Sequence, residues 1–174
     1  HRSIRLISAK RAEAALDMLA AVHSQAMVHR SSTSDSDPAV ATFNGTIGDF
    51  SRNSQNVRLW VVMSPRVVAF QRARGRREIE LPRDSVDLQV LGSGAAHTAS
   101  GDRYLRLSRP VILGQAQASD ARCMACHDQA MGIRPGEIIG VYSAQVDMAP
   151  ELTAWKTNAL SQLVIGLGIA AASG

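Results

Sequence analysis

Apolar residues recur at spacings of three and four from about Ser8 to Arg30, with no Gly or Pro between, a pattern that predicts one long helix. Ala12, Leu16, Leu19, His23, Ala26 and Met27 share a stripe, with Met18, Val22 and His29 on a neighbouring face. The polar run Ser31 to Asp37 breaks the pattern. A second helix then begins with Asp37 as N-cap and Pro38 at the first helical position. Its buried face is Val40, Phe43, Ile47 and Phe50, while Gly45 and Gly48 weaken it or admit a close neighbour. The two helices are expected to form an antiparallel hairpin leading to the first strand.

Val57 to Met63 is apolar nearly throughout, which predicts a strand central in its sheet. Ser64-Pro65 opens a short helix that runs to Arg74 and stops at Gly75. Asp84 caps another, with Val86, Leu88, Val90 and Leu91 apolar and Gly92 at its end. Gly94 to Gly101 reads as a loop of small residues with His97 in solvent. Arg103 to Leu107 alternates like a half-exposed strand, Pro110 interrupts it and Val111-Ile112-Leu113 resumes it. That implies an edge strand or two strands with a break. A turn at Pro135-Gly136 leads into the last strand, Ile138 to Val146, and the pattern is helical again from Met148 through Trp155.

Leu163 to Ala172 is almost wholly apolar. It is too short to span a bilayer alone, which takes about 20 residues. It is either a buried C-terminal helix or a transmembrane helix cut short, and its small, uncharged residues favour the second. The expected organisation is a helical hairpin at 1–56, a sheet-based domain at 57–148 and an exit helix at 149–174.

The 174 residues are enough for a real core, and 45% hydrophobic against 4% aromatic is an aliphatic, alanine-rich balance. The formal net charge of +4 comes mostly from arginine. No basic stretch interleaved with aromatics accompanies it, so nucleic acid is not an expected partner. The run Arg72, Arg74, Arg76 and Arg77 reads as a solvated face, with a propionate or lipid-headgroup contact as the alternative.

The chemistry lies in Cys123-Met124-Ala125-Cys126-His127, which holds the only two cysteines of the chain. C-x-x-C-H is the attachment spacing of c-type haem: two thiols add across the porphyrin vinyl groups, and the adjacent imidazole reaches the iron. The other readings are a disulfide, a redox-active dithiol or half a zinc site. Zinc needs two further soft ligands at a second cluster, and there is no other cysteine. A redox dithiol should follow an apolar strand, whereas the lead-in here is the loop-like Gln117-Ala118-Ser119-Asp120. One covalent haem c is therefore expected, with His127 as proximal ligand. Such haem is attached outside the cytoplasm, and the chain begins with His1, so an export or anchoring segment is expected to have been cut away. Met27 is the candidate distal ligand and His23 the alternative, one turn apart on the first helix. Trp60 and Met63 are candidates to border the haem, with core packing as the competing role.

Leu59-Trp60-Val61-Val62-Met63-Ser64-Pro65-Arg66-Val67, Arg109-Pro110-Val111-Ile112, the C-x-x-C-H motif and Gly136-Glu137-Ile138-Ile139-Gly140-Val141 together carry a resemblance. The chain resembles the extracytoplasmic c-type haem PAS-like sensor domains that precede membrane helices in bacterial chemoreceptors and diguanylate cyclases. The resemblance implies an α+β fold with a PAS-like antiparallel sheet, a long N-terminal helical hairpin and a C-terminal exit helix. It adds Arg109 to the pocket candidates. It implies a sensory input domain on the periplasmic face of an inner membrane, responding to redox state or to NO, CO or O2. Partners would be that gas or a redox protein, a second copy in a homodimer, and the membrane through the flanking helices. The domain itself would not be an enzyme; an output such as a diguanylate cyclase would lie outside it. A c-type cytochrome electron carrier is the alternative, although such carriers place the motif near the N-terminus. A peroxidase would need a distal acid–base group, for which only His23 is at hand.

Overall fold

The computed structural model describes residues 2–31, 37–54, 56–77 and 79–172, without the side chains of 163–172. Freedom from helix breakers carries the first element beyond its apolar stripe: α1 spans Arg2–Val28. Asp37 caps α2, Pro38–Asn53, by accepting from the Ala39 amide at 2.9 Å, and also accepts from the Ser31 amide at 2.9 Å, so one buried carboxylate ties the two helices. Asp37→Ala should therefore cost about 1–2 kcal/mol, readable as a lower denaturation midpoint at unchanged m-value.

The sheet is antiparallel, in the order β1-β4-β3-β2, built from Val57–Met63, Ile138–Asp147, Tyr104–Ile112 and His97–Ser100. With α3 (Pro65–Ala73), α4 (Ser85–Ser93), α5 (Ala121–Met124) and the exit helix α6 (Ala149–Ala172), this is the expected α+β, PAS-like architecture. Four expectations are corrected. β1 lies at an edge and is not central; its unbroken apolar run reflects helices on both its faces, not strands on both its sides. β3 is one inner strand. The Tyr104 carbonyl points to the β2 side, where it accepts from Gly101, so alternation turns the Pro110 nitrogen to that side too. β2 pairs no further along than Ser108, and the missing N–H of Pro110 therefore costs no ladder bond. The supposed loop Gly94 to Gly101 contains β2, which small polar residues conceal. Lastly, α4 passes Gly92 and closes at Gly94, whose φ of 66° is the left-handed cap.

One sheet face carries Leu59, Ala144, Tyr142 and Leu105 against Leu16 and Leu19 of α1 and Phe43 and Ile47 of α2. The opposite face carries Trp60, Val62 and Val141 against Val90 of α4. A polar cluster lies on that side. Arg106, read from its alternation as half-exposed, is buried and ion-pairs with Asp84 and Asp87. Asp87 also accepts from Trp60 Nε1 at 3.2 Å, from Ser143 Oγ at 3.1 Å and from the Arg83 amide at 2.9 Å. Arg106 and Arg83 stack over the Trp60 ring at 4.6 and 4.7 Å.

β1 and β4 approach closely at Gly140, paired with Met63; a Cβ there would lie 2.5 Å from the Val62 carbonyl oxygen. Because the obstacle is backbone, Gly140→Ala should cost about 1–3 kcal/mol, seen as a drop in Tm of several degrees.

The start of α6 packs beside α1, with Arg11 ion-paired to Glu151. Among the described residues no helix is long and apolar enough to cross a membrane. The stretch 163–172, on which the expectation of a truncated membrane helix rests, lies outside the described side chains.

Candidate functional site

The C-x-x-C-H segment is folded by local signals. Asp120 caps α5 by accepting from the Arg122 amide at 2.8 Å. The helix then widens into a π turn over Ala125–Ala130, a local expansion frequent at functional sites. Gly132, at φ 66°, ends it, and its amide donates to the Asp128 carbonyl. Ile133 is fully buried with Val67 and Leu113 and anchors the segment, while its amide donates to the His127 carbonyl. Cys123 and Met124 pack at the edge of that cluster.

Both cysteines are free thiols, partly buried. Burial, with added pressure from Asp120 and Cys126, pushes the Cys123 thiol above its ordinary pKa. A redox dithiol needs the opposite shift. No group of three or more His, Cys, Asp or Glu side chains that could hold a metal ion occurs among the described residues, so no second half of a zinc site accompanies the motif.

A cavity of about 850 Å³ runs along the open edge of β1, within the range of about 300–1,000 Å³ of cofactor pockets. Cys123, Cys126 and His127 line it from one side. His23 and Met27 line it from α1, with Phe43 and Ile47 of α2 beside them. The first helix is tied to the motif segment twice: Ser24 Oγ donates to the Gln117 carbonyl at 3.2 Å, and Arg122 donates to the Val28 carbonyl. The cavity also has six lining arginines, Arg30, Arg52, Arg58, Arg77, Arg83 and Arg122, against Glu80 as its one lining carboxylate among the described residues.

Met63 lines this cavity as expected. Trp60 lines it too, while its indole Nε1 is held by Asp87. Arg109 does not belong to the pocket: it reaches α1 and pairs with Asp17 at 2.6 Å. Two features escaped the sequence reading. Tyr142, paired with Val61 across the strands, lines the cavity and meets His23 Nδ1 at 2.7 Å through its hydroxyl. Of the arginine run 72–77, only Arg77 reaches the cavity; the other five arginines there come from scattered places in the chain.

His23 is held neutral. Burial, then His127 and Arg30, lower its pKa from 6.5 to about 4. Burial also lowers that of His127, whose buried Nδ1 has no hydrogen-bond partner among the described residues. The residues present fit a haem: paired thiols and an imidazole on one wall, a soft thioether and a second imidazole on α1, an apolar floor, and arginines for two propionates.

No family model, no curated protein and no solved structure matches this chain.

Proposed function

We propose that this chain is an extracytoplasmic sensory input domain that carries one covalent haem c. It responds to redox state or to a diatomic gas and passes the signal through its helices to a membrane-attached effector. One observation carries the reading: the thiols and imidazole of the C-x-x-C-H segment line the same cavity as His23 and Met27, about a hundred residues earlier. Cys123 and Cys126 would hold the haem, His127 would be its proximal ligand, and Met27 or His23 would approach from α1. When bound, the haem supplies an iron that changes oxidation state and takes NO, CO or O2.

The chain's own part is to couple that site to its helices. Arg122 and Ser24 clamp the motif segment to the last turns of α1. A change in whether α1 is held at the cavity therefore alters a joint between two elements. β4 leads from the cavity, at Gly140 and Tyr142, straight into α6. A ligand can shift this joint only by the difference in its affinity for the two arrangements. Pairing of two copies through α1 and α6 suits the exposed Leu6, Ile7, Trp155 and Leu160 on those helices. Sedimentation should show a dimer at micromolar concentration that Leu6→Glu with Trp155→Glu weakens.

The test is an absorption spectrum of protein produced with haem-attachment machinery, in both oxidation states and with CO. A six-coordinate haem c whose reduced form binds CO is expected. No haem spectrum ends the proposal; a reduced haem indifferent to CO and NO points to an electron carrier.

A further inference from the structure

We infer that His23, and not Met27, takes the distal iron position, and that Tyr142 is the positioning residue that orients it; this rests on the haem reading above. Met27 and His23 both face the cavity, so proximity does not separate them. Their surroundings do. The Met27 sulfur has the Arg30 guanidinium 3.8 Å away, on the last turn of α1. That N–H donor competes for the thioether lone pair.

His23 lies a turn deeper. Its ring is fixed on two sides, edge-on to Phe43 with centroids 4.9 Å apart and edge-on to Tyr142 at 5.5 Å. Nδ1 is engaged by the Tyr142 hydroxyl at 2.7 Å, while Nε2 makes no hydrogen bond to any described residue. Histidines that bind metals characteristically give their second ring N–H to a partner, which fixes both tautomer and ring direction. Were Nε2 to hold iron, the proton of the neutral ring would sit on Nδ1, where the phenol oxygen of Tyr142 is placed to accept it. His127 lines the same cavity, so two imidazoles border one space.

The experiment uses the haem-loaded protein and begins with a denaturing haem assay. Absence of covalent haem there overturns the underlying reading, and this inference with it. With haem present, ferric absorption and electron paramagnetic resonance spectra should show two nitrogen axial ligands. Met27→Leu should leave them unchanged. His23→Gly should lose the low-spin signal, and added imidazole should restore it, a rescue that a folding defect would not show. Tyr142→Phe keeps the ring packing and removes only the hydroxyl. It should stay low-spin yet raise the midpoint potential and tighten CO binding about tenfold, the lower end for loss of such a supporting hydrogen bond. A thioether signature that vanishes in Met27→Leu overturns the assignment of His23. An unchanged potential and CO affinity in Tyr142→Phe overturns the role of Tyr142.

Discussion

Protein carrying Cys123→Ala together with Cys126→Ala should release all its haem into acidified organic solvent, whereas the unaltered chain should retain it through denaturation. The contrast is all-or-none on the proposed reading, because both links would be covalent thioethers and no other cysteine exists to replace either thiol. Single substitutions should retain haem through one bond, with a shifted reduced spectrum from the unreacted vinyl group. His127→Ala separates attachment from coordination: both thiols remain, but the proximal nitrogen is gone and the low-spin spectrum should go with it. Haem that washes freely from the unaltered chain would remove the basis of the functional proposal while leaving the fold untouched.

Asp87→Ala should be the most damaging of the substitutions away from the cavity. Asp87 is fully buried and holds Arg106, Trp60, Ser143 and the Arg83 amide. Its removal leaves the buried Arg106 guanidinium with only the half-exposed Asp84 as counter-charge, and breaking a buried pair in this way costs about 3–5 kcal/mol. For a chain of this size that is a fall in Tm of about 10 °C, measurable by calorimetry. Replacing the buried pair, with Arg106→Met and Asp87→Leu together, should recover much of the loss, since the one charge then left without its partner, Asp84, is half exposed to water. Asp84 gives the cluster a pH dependence. Partial burial works to raise its pKa, but the Asp87 and Val86 amides and Arg106 outweigh that and hold it below its ordinary 3.8. Its contribution is then complete above the ordinary value and is lost as pH falls through the lower, folded value. Asp84→Asn should accordingly flatten the acid limb of the stability curve.

The sequence disclosed features written locally. Asp37-Pro38 and Asp84 announced two helix starts, because caps act over a single turn; the C-x-x-C-H spacing, on which the proposed haem rests, is likewise written in five adjacent residues. β1 and β4 were found nearly to the residue because their runs are mostly apolar, broken only by Arg58 in one and by Ser143 and Gln145 in the other before it ends at Asp147. The errors have a common origin in what lies beside an element. β1 reads as central because helices cover both its faces, and sequence cannot tell that cover from neighbouring strands. Arg106 reads as exposed because alternation reports charge, while the Asp87 that neutralises it lies on another element. Tyr142 looked like any strand residue, since its partner His23 is 119 positions away. The cavity is a relation among α1, α2, β1 and the motif segment, and no one stretch contains it.

The proportions of α1 give it the mechanics of a see-saw. Its middle, Ala12 to Ala20, is pressed on the sheet through small side chains and two leucines, all buried. Either side of it the contacts loosen to partly buried residues such as Ile4, Val22 and Ala26, and the helix extends about 16 Å from Leu16 to Met27 and about 21 Å from Leu16 to Arg2, at 1.5 Å per residue. A tilt about the middle that draws His23 and Met27 toward the cavity swings the other end outward, with slight amplification. That other end carries Leu6 and Ile7 and runs alongside α6, joined to it by Arg11 and Glu151. An ångström gained at one arm would thus arrive at the other with its direction reversed, beside the C-terminal helix α6.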